Sequence, residues 1–180
     1  CKIPKDFRQD VIYSLDNAFH EPVEQLNKSL EILQKVFCSE NPYLPKPTIS
    51  DANYMAIHVR LGDGENRQSE LNLLFDIIDY FIKKSSNKII IHTNGEIPFS
   101  DSNKVKIFDK QIHVLQVLSD LIHADSLVLS DSSLSVASAW LNFKRKQIIA
   151  PSRILKGYNG GRLDKGITYK DFLNSQNQLA

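Results

Sequence analysis

The stretch YMAIHV, residues 54–59, decides the fold class because five of its six residues are apolar. Strands with one solvated face alternate apolar and polar residues, whereas an apolar run predicts a strand that is buried on both faces. Comparable runs follow further along the chain: KIIIHT (88–93), SLVLS (126–130) and QIIA (147–150), with a weaker pair at VKIF (105–108) and IHVL (112–115). The sequence therefore predicts a set of buried strands.

Helical stretches separate these strands. The clearest has its apolar residues three or four positions apart, at Leu71, Leu74, Phe75, Ile78, Phe81 and Ile82. Two more helices are predicted across 116–124 and 134–143. Strands and helices in alternation imply right-handed crossovers and a parallel sheet. We therefore expect a Rossmann-like α/β domain over residues 51–180, with helices on both faces of the sheet.

Residues 1–50 have a different pattern. Apolar residues at helical spacing predict an amphipathic helix from Glu21 to Phe37, and Pro22 suits its first turn. Three prolines then predict an extended connector: Pro42, Pro45 and Pro47. We expect residues 1–50 to form a helical segment and a Pro-rich connector ahead of the α/β domain.

Composition excludes several classes of function. The 22 Lys and Arg residues nearly balance the 21 Asp and Glu residues, so we expect no nucleic-acid partner. No apolar run approaches the roughly 18 residues that a membrane span requires, so we expect no membrane segment. Cys1 and Cys38 are too few and too far apart for a zinc site or a disulfide framework, and the five His residues lack common metal-ligand spacings. We expect no metal site.

Three polar clusters end predicted strands. His58, Arg60 and Asp63 follow the first, HTNGE (92–96) ends the second, and a Ser-rich turn (130–135) ends the fourth. Ligands of parallel sheets bind at the carboxyl ends of strands, near helix N-termini. The clusters are therefore predicted to meet at one rim.

The first cluster suits phosphate. His58 and Arg60 share one face of a strand, because side chains alternate there. The guanidinium offers a fixed fork of donors to phosphate oxygens, and Asp63 would orient it or act on a hydroxyl. The alternative is an Arg60–Asp63 ion pair that only closes the strand.

The Ser-rich turn suits an anion as well. Ser132, Ser133 and Ser135 open a predicted helix, where hydroxyl and free backbone N–H groups bind anions without net positive charge. The alternative is an ordinary helix cap, since Ser is a preferred capping residue. We interpret Asn94 and Gly95 as a turn. His113 and His123 are expected to be structural or exposed.

Read together, these segments resemble the fucosyltransferases, most closely the α-1,2-fucosyltransferase family of inverting glycosyltransferases. AIHVRLGDG (56–64) is similar to the family's HxRRxD motif, and HADSLVLSDSSLSVASAWL (123–141) is similar to its ADxLVxSNSSFSWWAAWL segment. KQIIAPSRIL (146–155) matches the strand and Pro-containing loop that follow, and IIIHTNGE (89–96) stands in place of an FSDD-type segment. The resemblance covers roughly residues 20 to 155.

The resemblance implies the donor half of a two-domain GT-B glycosyltransferase that transfers a sugar from GDP-fucose to a glycan hydroxyl with inversion. It implies no cofactor and no metal, and further domains on a longer polypeptide. Arg60 would bind the diphosphate and stabilise the leaving group, and His58 would line the nucleotide side. The phosphate end would be lined by Ser132, Ser133 and Ser135. Asp63 would be the base or the partner of Arg60, with weaker candidates at Glu65, Glu70 and Glu96.

The chain departs from the family's pattern at three places. Leu61 replaces the second arginine, Asn94–Gly95 replaces the paired aspartates, and Val136–Ala137 replaces two tryptophans. These differences leave the donor open between GDP-fucose and another nucleotide sugar. A non-catalytic binding or scaffold domain with the same fold is the main alternative, and a phosphoesterase is a weaker one because metal-binding partners for Asp63 are missing. The compartment stays open: cytoplasm for a bacterial or viral protein, Golgi lumen for a eukaryotic secretory enzyme.

Overall fold

The computed structural model describes residues 44–50, 53–61, 68–109, 111–142, 144, 146–157 and 166–178. The predicted helix at 21–37 and both cysteines lie outside these residues. The described elements run β1 (Tyr54–Val59), α1 (Gln68–Lys84), β2 (Lys88–Thr93), β3 (Val105–Phe108), α2 (Val114–His123), β4 (Ser126–Leu129), α3 (Ser133–Leu141), β5 (Gln147–Ala150), α4 (Ser152–Gly157), β6 (Ile167–Thr168) and α5 (Tyr169–Asn177).

The strands form one parallel six-stranded sheet in the order β3-β2-β1-β4-β5-β6. This order confirms the predicted α/β class and is the order of a Rossmann-like sheet. From β1 to β3 each new strand is added on one side of β1, and from β4 to β6 each is added on the other side. The order of the strands therefore reverses between β1 and β4, although all six strands stay parallel. Within that seam, His58 pairs in register with His92 of β2 on one side and with Leu129 of β4 on the other.

Each face of the sheet packs against helices, which is why the strands read as apolar runs. On one face, Ile57, Val59 and Ile91 belong to a core cluster with α1 and α5 residues, among them Leu74, Ile78, Phe81 and Phe172. On the other face, Ala56 and Ile90 pack with α2 and α3 residues, among them Leu121, Val136 and Ala139. Every residue of β1 is buried. The predicted helices on both faces of the sheet are confirmed.

One predicted strand is wrong. IHVL at 112–115 is the start of α2: His113 is the N-cap, and its ring accepts a hydrogen bond from the Leu115 N–H at 3.2 Å. Val114 begins the helix, and with Val117 and Leu121 it follows helical spacing, which overrides the local strand-like run. None of the helices in the described ranges combines the length and apolarity that crossing a membrane requires.

Candidate functional site

The seam between β1 and β4 opens a rim at the carboxyl ends of both strands. In doubly wound sheets a ligand crevice forms where the strand order reverses, because the loops on either side diverge. Here hydrogen bonds join the carboxyl end of β1 to that of β4. The Ser130 N–H donates to the His58 carbonyl at 3.0 Å, and the Ser130 hydroxyl accepts from the Arg60 N–H at 3.1 Å. Two of the three predicted polar clusters therefore meet.

His58 lies beneath the start of α3. Its Nδ1 is 2.7 Å from the Ser135 hydroxyl oxygen and 3.4 Å from that of Ser130. Burial is the largest cause that lowers the pKa of His58 from 6.5 to about 4, and the neighbouring His92 and Arg60 contribute in the same direction. The ring is therefore neutral at neutral pH. A neutral imidazole in this place can orient serine hydroxyls, and it adds no positive charge to the rim.

Arg60 supplies positive charge at the rim. It is the first residue after β1, and its side chain is exposed. Its backbone is held by Ser130, so the guanidinium emerges from a fixed point at the seam. Asp63, which is expected to be the base or the partner of Arg60, and Glu65, a weaker candidate for the base, lie outside the described residues.

The three serines of the helix start have three different environments. Ser132 is the N-cap of α3, and its side chain accepts from the Leu134 N–H at 3.2 Å, which is the capping role. Ser135 is fully buried against His58. Ser133, the first residue of the helix, is exposed. An anion at this helix start would therefore meet the Ser133 hydroxyl and the first-turn N–H groups other than that of Leu134, because such groups lack a carbonyl one turn earlier.

A second buried group lies beside His58. His92 Nε2 is 2.9 Å from Asp120 Oδ2 of α2, and the two side chains are 2% and 0% exposed. The other ring nitrogen of His92, Nδ1, is buried and has no hydrogen-bond partner in the part of the chain that the structure describes. The ring also stacks on Phe108, with centroids 5.3 Å apart.

Asp120 collects donors from the segment before β1. Its carboxylate accepts from the Thr48 N–H at 2.6 Å, from the Thr48 hydroxyl at 2.9 Å and from the Gln116 amide at 3.1 Å. The Ser119 hydroxyl donates to the Pro45 carbonyl of the same segment. This connector therefore crosses α2 as a strap, and a buried carboxylate with four donors is satisfied there.

The loop after β2 contacts the loop after β1. Asn94 and Gly95 lie in a bend, which agrees with their interpretation as a turn. The Asn94 side chain also accepts from the Leu61 N–H at 2.6 Å and donates to the Leu61 carbonyl at 2.9 Å. The third predicted cluster is thus joined to the first through Leu61.

A cleft of about 630 Å³ opens beside this loop, at the ends of β2 and β3. Its apolar wall includes Phe99, and its polar groups include the carboxylates of Glu96 and Asp109. The full lining is Thr93, Gly95, Glu96, Ile97, Phe99, Ile107, Asp109 and Gln111. A ligand portion that supplies hydrogen-bond donors and a flat apolar face fits such a lining better than a phosphate does.

Tyr169 closes the opposite face of the seam. Its hydroxyl donates to the Leu129 carbonyl at the end of β4. Burial raises the pKa of Tyr169, and the carboxylates of Glu70 and Asp131 raise it further. Glu70, a candidate base from the sequence, therefore lies close enough to affect the Tyr169 hydroxyl, which is bound to the end of β4. Glu96 instead lines the cleft.

No protein-family model matches this sequence. No curated protein matches it either. Within the described ranges, no group of three or more His, Cys, Asp or Glu residues could hold a metal ion. His113 and His123 have structural roles: His113 caps α2, and His123 contacts the Ser119 carbonyl at 2.8 Å.

Two roles were not predicted from the sequence: the buried hydrogen bonds of Asp120 and the contact of Asn94 with Leu61. Asp120 had a signal: with Val117, Leu121 and Ala124 it occupies the apolar stripe of a helix, where an unpaired carboxylate would be costly. Asn94 had none, because the choice between an ordinary turn and a side-chain contact with a distant loop depends on tertiary structure.

Proposed function

We propose that this chain is the nucleotide-sugar-binding unit of a fucosyltransferase-like glycosyltransferase of the GT-B architecture. The observation that carries the proposal is the meeting of Arg60, Ser130 and the start of α3 at the point where strand order reverses. A guanidinium and a helix N-terminus both stabilise a diphosphate. The similarity of the same segments to the α-1,2-fucosyltransferase motifs also supports the proposal.

In the proposed reaction, an acceptor hydroxyl of a glycan attacks the anomeric carbon of the donor sugar. The bond to the diphosphate breaks, and a base takes the proton of the hydroxyl, with inversion at carbon. Arg60 and the first turn of α3 stabilise the charge that develops on the departing diphosphate, which is a role that needs no divalent cation. Asp63 is the base or the partner of Arg60.

The donor's nucleoside would lie in the cleft beside the rim. Ring N–H groups and ribose hydroxyls are donors, and the cleft presents Glu96 and Asp109 as acceptors beside the Phe99 ring. GDP-fucose is the donor that the resemblance favours, and another nucleotide sugar is the alternative. The neutral His58 would hold the Ser135 side of the helix start in place.

Thermal shift measurements with GDP, UDP and GDP-fucose test this proposal, with and without EDTA. We expect GDP or GDP-fucose to raise the melting temperature equally in both conditions, and we expect Arg60→Ala to abolish the rise. Lys88→Ala is the control, because it removes one exposed positive charge at the amino end of β2, the end of the strand away from the rim. Absence of a shift with every nucleoside diphosphate would refute the proposal.

The second candidate is a binding domain that keeps the fold without turnover. Leu61 and Asn94–Gly95 favour it, because the resemblance places charged residues at these positions. Release of fucose from GDP-fucose, with and without a glycan acceptor, separates the candidates. Binding of GDP-fucose with neither hydrolysis nor transfer supports the binding domain.

A further inference from the structure

Asn94 continues the pairing of β1 with β2 beyond the last residues of both strands. The final rung of that pairing joins Val59 to Thr93. Past this point the backbone of Leu61 would lose its strand partner. The Asn94 amide replaces it: Oδ1 accepts from the Leu61 N–H at 2.6 Å, and Nδ2 donates to the Leu61 carbonyl at 2.9 Å. A side-chain amide carries the same donor and acceptor as a peptide unit, so it adds one more rung.

The side chain of Leu61 fits the same contact. Leu61 is half-buried and packs against the core beneath α1. A methyl group added at Gly95 would lie 3.1 Å from Leu61 Cδ1, so the absence of a side chain at 95 leaves room for this leucine. Leu61 and Asn94–Gly95, at two of the three places where the chain departs from the fucosyltransferase pattern, thus form one contact.

Arg60 lies between two anchored peptide units. On its N-terminal side, its own N–H donates to the Ser130 hydroxyl. On its C-terminal side, Asn94 holds both backbone polar groups of Leu61. The direction in which the Arg60 side chain leaves the backbone is therefore fixed from both neighbouring strands, and the backbone around Arg60 does not have to be ordered when a ligand binds.

We propose that Asn94 is a positioning residue for Arg60, and that the amide clamp on Leu61 presets the guanidinium for an anionic group of the ligand. The inference deepens the proposed function and rests on it. Asn is the residue type that this clamp requires: Asp lacks the donor for the Leu61 carbonyl, and Ala lacks both groups. The clamp is neutral, so it orients Arg60 without competing for its charge.

A double-mutant cycle on GDP affinity, measured by calorimetry on the 180-residue chain, tests the link to Arg60. We expect Asn94→Ala to weaken GDP binding about tenfold, because the backbone that carries Arg60 must then be ordered on binding. In an Arg60→Lys background the same change should cost about twofold or less, because a flexible ammonium gains little from a fixed backbone. Equal losses in both backgrounds would overturn the proposal.

Asn103→Ala is the matched control, since Asn103 is exposed in the loop before β3. It should leave GDP affinity unchanged. Melting curves of all variants show whether each is folded, and an Asn94→Ala chain that is unfolded is replaced in the cycle by Asn94→Ser, which is uncharged and too short to make both contacts with Leu61.

Amide hydrogen exchange tests the clamp without any ligand. The Leu61 amide should be protected in the native chain and in Asn94→Asp, and it should lose protection in Asn94→Ala, whereas the Ile91 amide within β2 stays protected in all three. Rapid exchange at Leu61 in the native chain would refute the clamp. If the native chain binds no GDP, the proposed function and the Arg60 role both fail, and the exchange result still decides whether Asn94 holds Leu61.

Discussion

His92 of β2 and Asp120 of α2 form a buried pair, in which the carboxylate accepts from the ring Nε2 at 2.9 Å. The pair lies one strand away from His58, because His58 and His92 are in register. It joins the sheet to the helix that the strap crosses, so one carboxylate connects β2, α2 and the segment before β1.

Asp120→Asn should destabilise the protein strongly. The amide nitrogen would replace one acceptor and would face donors from Thr48, Gln116 or His92. We expect a loss of about 2–4 kcal/mol in the free energy of unfolding, measured with urea. Asp76→Asn, at an exposed position of α1, is the control and should change little. A loss below about 0.5 kcal/mol would contradict the role of Asp120.

His58 should make stability depend on pH in a defined window. Between pH 6.5 and about 4 the unfolded chain binds a proton at this residue and the folded chain does not. The free energy of unfolding therefore falls on acidification through that window, by up to about 1.4 kcal/mol per pH unit from this residue. The His58→Gln variant lacks this titration. The difference in free energy of unfolding between the variant and the native chain should therefore shift by about 2 kcal/mol in favour of the variant between pH 7 and pH 5. A difference that is independent of pH would contradict the buried neutral ring.

Alanine should lower stability at Ser135 and have little effect on stability at Ser133. Ser135→Ala leaves His58 Nδ1 with only the 3.4 Å contact to Ser130, and we expect it to cost about 1–2 kcal/mol of stability. Ser133→Ala, at the exposed start of α3, should change stability by less than about 0.5 kcal/mol. Under the proposed function Ser133→Ala weakens GDP binding instead. Urea unfolding and calorimetry on both variants check the contrast.

Gly95→Ala should be destabilising because of Leu61 and not because of backbone strain. The added methyl group would meet Leu61 Cδ1 at 3.1 Å, so the leucine must shift by a few tenths of an ångström. We expect a loss of about 1 kcal/mol, and a smaller loss in a Leu61→Val background, where Cδ1 is absent. Thermal unfolding of the four chains of this cycle gives the coupling. Independent effects would show that the two residues do not touch.

Most of the sheet could be predicted from sequence, because a strand that is buried on both faces appears as an uninterrupted run of apolar residues. YMAIHV, KIIIHT, VKIF and QIIA coincide with β1, β2, β3 and β5. The start of α2 was missed, because four apolar residues in a row do not distinguish a strand from a helix turn. No prediction was made for β6 and α5: two residues of strand carry no periodic signal.

The rim was predictable in outline and not in detail. The rule that ligands meet strand ends correctly brought His58, Arg60 and the Ser-rich turn together. It could not assign Ser132 to capping and Ser135 to His58, because those roles depend on the exact residue at which α3 begins. Asp120 receives its donors from Thr48, 72 positions away, a distance over which local patterns carry no information.

The parallel seam between β1 and β4 has a consequence for how the protein folds. Tyr54 and Asp125 meet there although 71 positions separate them in the chain, and each later residue of the seam spans a similar distance. Such pairings form slowly, because a long loop must close before any contact compensates for its lost entropy. We expect the β1–β2–β3 half to acquire its structure first and the ligand rim to be among the last parts of the sheet to form. Variants that weaken the seam should therefore mainly accelerate unfolding and leave the folding rate nearly unchanged.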